Sequence, residues 1–206
     1  MTHHPKKISL GFTPQEFPPG VHVCQIISND EERLDALLKF LLSGLQAGER
    51  TSCFSENLPE AVLADFLGRQ GISCQEKRAA GALLVAGARE VYCHQNRFDP
   101  DRVLNQLARY HEESAAGGYA GARVIGEMTP EVQRLEGGDR LLEYEARVSL
   151  LLRKCPVTAV CQYDARHFDG ATIMDVLKAH PFMVVRGSVV HNPFCLSPEE
   201  ILAHMN

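Results

Sequence analysis

The chain has 206 residues, 45% of them hydrophobic, and a formal net charge of −5, enough for one α/β domain with a full core. Its charges are scattered, and Lys6-Lys7 is too short a basic run to suggest a nucleic-acid-binding protein. The apolar runs are too short to span a bilayer, and residues 1–7 lack the apolar segment of an export signal, so no membrane partner and a cytoplasmic location are expected.

Residues 1–20 carry four prolines and read as an irregular lead-in, with a single domain over 21–206. The apolar run from Val21 predicts a strand over about 21–28. Asn29 then caps a helix, with Glu32 as its capping-box partner. Leu34, Leu37, Leu38, Leu41, Leu42 and Leu45 give that helix its buried side, and Gly48 is the residue expected just past its end. Thr51–Ser55 predicts the second strand, and Val62, Leu63, Phe66 and Leu67 a helix stopping at Gly71. Ile72-Ser73-Cys74 and Ala82–Ala86 read as further short strands. Asp99-Pro100 is an N-cap followed by proline at the first helical position. Val103, Leu104 and Leu107 bury that helix, and Gly117-Gly118 ends it. Ala122–Met128 is the next strand, 139–152 a helix and Val157–Asp164 a strand. Asp169 caps a helix bearing Ile173, Val176 and Leu177. Phe182–Val185 and Val189–His191 pair as a hairpin across Arg186-Gly187. Strands alternating with helices imply an α/β fold of three layers, a mostly parallel sheet covered on both faces.

The first strand–helix junction is where a phosphate-cradling loop belongs in nucleotide hydrolases. Glycines and a lysine would be needed there, so that backbone amides and positive charge wrap a polyphosphate. This chain has Ser28-Asn29-Asp30-Glu31-Glu32 instead. Three carboxylates suit a helix N-terminus and repel a phosphate.

Seven cysteines, Cys24, Cys53, Cys74, Cys93, Cys155, Cys161 and Cys195, are odd in number and widely spaced, with no C-x-x-C. That is neither a disulfide framework nor a zinc ribbon. His22 and Cys24 are two apart in a strand and share a face, as do Cys161 and Tyr163 in a later one. On neighbouring strands these side chains would converge, making a site for a soft metal or a thiol–imidazole pair; the plainer reading is a buried set with His22 bonded to backbone. Glu127 stands near the C-terminal end of its strand, the edge where open α/β sheets gather ligands. Glu145 lies among Leu141, Leu142, Val148 and Leu152, so its carboxylate needs partners or neutralisation. His180 ends a helix, where an imidazolium would suit the dipole.

His22-Val23-Cys24, Gly44-Leu45-x-x-Gly48-Glu49, Phe98-Asp99-Pro100-x-Arg102-Val103-Leu104, Arg123-Val124-x-Gly126-Glu127-Met128, Tyr144-Glu145 and Cys161-x-Tyr163-Asp164 occur in that order. Together they resemble the MEDS domain, the methanogen/methylotroph DcmR sensory domain, from about residue 17 to 195. The resemblance implies a divergent RecA/KaiC-like (P-loop NTPase-like) domain without a Walker A loop, serving prokaryotic signal transduction or transcriptional regulation and sensing small organic or hydrocarbon-derived molecules. Family members are often fused to kinases or DNA-binding segments, which have no room before residue 20 and do not follow here. The expectation is therefore a stand-alone sensory domain with His22, Cys24, Glu127, Glu145, Cys161 and Tyr163 as ligand-binding residues at the C-terminal edge of the sheet. It would signal through a protein partner or self-association, without direct nucleic-acid contact. No residue is assigned to catalysis or to a metal, and no cofactor is called for. The alternatives are a nucleotide-binding or weakly hydrolytic KaiC-like ATPase relative, with Glu127 orienting a water, and a metal- or thiol-based redox switch using His22, Cys24 and Cys161.

Overall fold

A computed structural model describes residues 7–205. Its main sheet has seven strands in the order β5-β4-β6-β7-β3-β8-β9, formed by β3 (His22–Ile27), β4 (Arg50–Phe54), β5 (Leu83–Ala86), β6 (Ala122–Glu127), β7 (Val157–Asp164), β8 (Phe182–Val185) and β9 (Ser188–His191). All pairings are parallel except the β8–β9 hairpin, which turns at Arg186 and Gly187, both with positive φ. The first strand β3 lies beside the late strand β7, with Cys24 opposite Cys161 and Ile26 opposite Tyr163.

Helices α1 (Asp30–Gln46), α2 (Glu60–Gly68) and α3 (Cys74–Ala79) belong to one side of the sheet. Helices α4 (Ala88–Tyr92), α5 (Pro100–Ala116), α6 (Leu141–Leu152) and α7 (Gly170–Ala179) cover the other. α8 (Pro198–His204) packs on α6 through Ile201 against Ala146. Each layer has its own core: Leu37, Phe40, Leu41, Leu63 and Leu67 behind Val23, Ile125 and Val160, and Phe98, Tyr144, Val148 and Val176 behind Cys24, Ala159 and Tyr163. The alternation along each strand decides which layer a residue joins.

The helix caps follow the sequence. Asn29 Oδ1 accepts from Glu32 N at 2.8 Å, and Asp99 caps α5 ahead of Pro100. Ile72-Ser73-Cys74 is not a strand. Ser73 caps α3, its hydroxyl accepting from Glu76 N at 3.2 Å, so the polar residue that interrupts the apolar pattern is a helix start. Within the lead-in, β1 (Ile8–Ser9) and β2 (Glu16–Phe17) form a small antiparallel ladder, and Ile8, Leu10 and Phe17 are buried against α1 and its neighbours; residues 1–6 lie outside the described residues.

The Gly44–Glu49 and Arg123 motifs lock together. Arg123 is fully buried on the α1 side of β6, paired with Glu49, its Nη1 donating to Ser9 O at 3.1 Å and Phe40 O at 3.2 Å. Gly44 makes room for it. A Cβ there would stand 2.6 Å from Arg123 Cδ and 2.7 Å from Thr51 Oγ1. Alanine in a helix interior gains about 1 kcal/mol over glycine, but overpacking costs about 1–3 kcal/mol, and here the guanidinium is pinned. Gly44→Ala is expected to lose about 1–2 kcal/mol net; urea unfolding checks it, and a gain would refute the packing account.

Candidate functional site

Two residues from β3, two from β7, two from α6 and the end of α7 meet on the α6 face of the sheet. His22 Nε2 lies 3.3 Å from Glu145 Oε2 and 3.4 Å from Cys161 Sγ. His180 Nε2 lies 3.4 Å from the same Glu145 oxygen, and Cys161 Sγ lies 3.8 Å from it. Tyr163 donates its hydroxyl to Glu145 Oε1. Cys24 is fully buried in the same layer. The two imidazole rings stack obliquely, with centroids 4.0 Å apart.

The partners fix both tautomers. Ser149 donates its hydroxyl to Ala179 O at 2.9 Å, so its oxygen is left to accept from His22 Nδ1 at 2.8 Å. Val176 O can only accept, so His180 Nδ1 donates to it at 2.6 Å. In the neutral rings both Nε2 atoms therefore carry lone pairs, and both face Glu145. Burial lowers the His22 pKa to about 3. Burial, reinforced by the His22 charge, lowers that of His180 to about 4, against the pull of Glu145 and the Val176 carbonyl. The sequence-based expectation of an imidazolium at His180 is corrected: helix-end attraction is outweighed by complete burial. The plainer reading of His22 is corrected too, since its ring bonds a side-chain hydroxyl. Burial raises the Glu145 pKa, opposed by His180 and by hydrogen bonds from Tyr163 and Cys161. Burial, then the Glu145 charge, raises the Cys24 and Cys161 thiols well above their ordinary value, which counts against a reactive thiolate. All seven cysteines are free.

Five of the six expected residues thus lie together. Glu127 does not join them. It shares the α1 side of β6 with Arg123 and Ile125, where it pairs with Arg33 and accepts from Ser55 Oγ at 2.7 Å. The expected single pocket is split by the sheet itself, because β6 residues two apart share a face and register assigns Glu127 to the opposite one. Nor is the five-residue cluster at the C-terminal edge: His22 is the first residue of β3.

A cavity of about 390 Å³ adjoins the cluster between the sheet and helices α4, α5 and α6. Phe54, Val91, Tyr92, Leu107, Tyr144 and Val148 line it, Cys161 borders it, and the exposed Gln106, Arg109 and Glu113 stand around it. Gly126 leaves space for the Tyr92 hydroxyl, which would sit 2.6 Å from a Cβ. Sequence reasoning did not find this cavity; its walls come from four strands and three helices, and the lining residues read individually as ordinary core.

A model of the family described as the MEthanogen/methylotroph, DcmR Sensory domain (MEDS) matches residues 21–181. The chain belongs to the MEDS family. This MEDS domain is 24% identical over 160 residues to the transcriptional repressor DcmR of Methylorubrum extorquens (strain DSM 6343 / CIP 106787 / DM4), a match covering 77% of the chain and 57% of the repressor. The chain therefore spans little more than half the length of that relative. Among solved structures it is similar to the flagellar accessory protein FlaH from Methanocaldococcus jannaschii (TM-score 0.62, 11% identity, 90% of this chain and 84% of that one). It is also similar to the KaiC-like protein PH0186 from Pyrococcus horikoshii OT3 (TM-score 0.61, 14% identity, 87% and 80%). At such identities the likeness shows the fold, which is RecA/KaiC-like. A MEDS domain is a sensory and regulatory module. No helix among the described residues is long and apolar enough to cross a membrane.

At the C-terminal edge of the sheet the MEDS domain carries a second cavity, of about 550 Å³. Its cations are already engaged. Arg33 is held by Glu127 and donates to Asn57 O at 3.1 Å, and Arg166 is held by Asp164 and by Asp30 at 2.8 Å. Asp30, Glu31 and Glu32 fill the first turn of α1. Mg-ATP is therefore expected to show no micromolar binding by isothermal titration, since its phosphates would have to displace carboxylates from both arginines.

Proposed function

We propose that this chain senses a small, mainly apolar organic molecule held in the cavity between the sheet and helices α4, α5 and α6, and passes the state of that cavity to a protein partner or a second copy of itself. The observation that carries this reading is the cavity. Its volume of about 390 Å³ suits a small molecule, its exposed wall is mainly aromatic and aliphatic, and a smaller set of polar groups, among them Arg50, Ser52, the Tyr92 hydroxyl and the Cys161 sulfur, completes it. The relative that is a transcriptional repressor makes control of transcription the proposed output.

The expected ligand residues are regrouped accordingly: Cys161 at the cavity, with His22, Cys24, Glu145 and Tyr163 behind it, and Glu127 outside the ligand site. Toluene, and 1-hexanol as a probe with a polar head, are expected to raise the melting temperature with increasing concentration, as a ligand of the folded state must. Leu107→Trp, which fills the cavity, should abolish that rise; Val148→Phe is a second, milder filling. A flat response from the parent protein to both probes, or an undiminished response in folded filled variants, would refute the reading.

A further inference from the structure

The two histidines, the glutamate and the cysteine have a property that a merely buried polar cluster does not require. The ligand-type atoms converge, and three of the four side chains are anchored from behind. His22 is held through Nδ1 by Ser149, His180 through Nδ1 by Val176 O, and Glu145 through Oε1 by Tyr163. This is how proteins fix the tautomer and orientation of metal-binding imidazoles and carboxylates. The free ends, His22 Nε2, His180 Nε2, Glu145 Oε2 and Cys161 Sγ, all lie within 4.8 Å of one another. His180 Nε2 is fully buried and has no hydrogen-bond partner among the described residues, an unexpected state for a buried acceptor unless something else fills it.

We propose that His22, Glu145, Cys161 and His180 form a tetrahedral binding site for a first-row divalent transition-metal ion of the zinc class. With metal–nitrogen and metal–oxygen bonds of about 2.0–2.1 Å and a metal–sulfur bond of about 2.3 Å, the edges of a tetrahedron are about 3.3–3.6 Å. Four of the six separations, at 3.3, 3.4, 3.4 and 3.8 Å, already fall close to that range, and the two from His180 Nε2 to His22 Nε2 and to Cys161 Sγ are within 4.8 Å. Charge agrees as well. One carboxylate and one thiolate neutralise a dication, and the two imidazoles are neutral, so the occupied site buries no net charge. Binding releases the Cys161 thiol proton, and any proton on Glu145, to solvent; no electron moves. Two approaches reach the cluster. Cys161 borders the apolar cavity, while His22 and Ser149 line a third cavity, of about 600 Å³, beside Pro18, Pro19 and Cys195. The site does not depend on the proposed organic ligand, although Cys161 is shared by both.

Cobalt(II) reports such a site directly. The full chain, stripped with chelator and titrated with CoCl₂, is expected to take up one equivalent, with the intense visible bands of tetrahedral cobalt and a thiolate-to-cobalt charge-transfer band in the near ultraviolet. Zinc should displace it. Cys161→Ser, nearly isosteric, should abolish the charge-transfer band and weaken binding at least tenfold, and His180→Ala should weaken it further. Cys195→Ser, as a nearby thiol outside the site, should change neither band nor stoichiometry. The proposal is overturned if the folded parent chain binds no cobalt or zinc, if the spectrum is octahedral, or if the charge-transfer band persists in Cys161→Ser. Where His180→Ala fails to fold, the spectra of Cys161→Ser and the parent decide.

Discussion

Glu49→Ala should destabilise the domain by about 3–5 kcal/mol, the cost of leaving a buried charge without its partner. For a chain of this size that corresponds to a fall in Tm of about 6–20 °C. Arg123 is completely buried and sits over the Phe40 ring at 4.9 Å; among the described residues it has carbonyl acceptors for Nη1 only, and Nη2 has no hydrogen-bond partner. Without Glu49 the guanidinium is left as a buried charge with no counter-charge. Paired replacement is a different case. Glu49→Leu with Arg123→Met removes both charges, and such exchanges are often neutral or stabilising. Chemical denaturation of the single and double variants decides between these outcomes. A Glu49→Ala loss below about 1 kcal/mol would show that the pair is not the clamp between the α1 C-terminus and β6 described here.

Glu145→Ala is expected to cost about 2–4 kcal/mol, combining a lost buried bond to Tyr163 with the void left under α6. The carboxyl group is shared by Tyr163, His22, His180 and Cys161, all of which lose a partner with it. Glu145→Gln should lose much less, since its amide oxygen still accepts from Tyr163 and its N–H₂ can donate to an imidazole Nε2. Both measurements belong in chelator, so that metal does not enter the comparison. Equal melting temperatures for the parent and Glu145→Ala would remove the carboxyl group from its central place in the cluster.

The alternation of apolar strands with capped helices made most of the sheet readable, because caps and terminal glycines act locally. Asn29, Asp99 and Asp169 all cap the helices expected of them. Ser73 was lost inside a short apolar stretch, where strand and helix start cannot be told apart by period. The start of α8 was in view but not recognised: Ser197 and Glu200 form a reciprocal capping box with Pro198 between them. In the site, the spacing of His22 with Cys24 and of Cys161 with Tyr163 pointed to shared faces, and Glu145 stood out as a carboxylate on an apolar stripe. The charge of His180 and the company of Glu127 escaped for a different reason. Their surroundings come from elements far away in sequence, and neither burial at a helix end nor strand register is a local quantity. The Glu49–Arg123 pair joins residues 74 apart, and neither residue alone signals the other.

Helix α6 has three working sides. Tyr144 and Val148 face the apolar cavity, Glu145 and Ser149 hold the paired imidazoles, and Leu142 and Ala146 support α8. It is a rigid rod gripped at three places, and close-packed surroundings let such a rod settle in discrete seats rather than drift. A molecule that wedges Tyr144 outward must then re-seat Glu145 against the histidines and Ala146 against Ile201 in the same motion. The outer surface of residues 198–204 would thereby act as a pointer, reading out a chamber that it does not touch. Slower or faster amide exchange across that segment on adding toluene would show the pointer moving, and an unchanged exchange rate with the chamber filled would show that α6 yields locally instead.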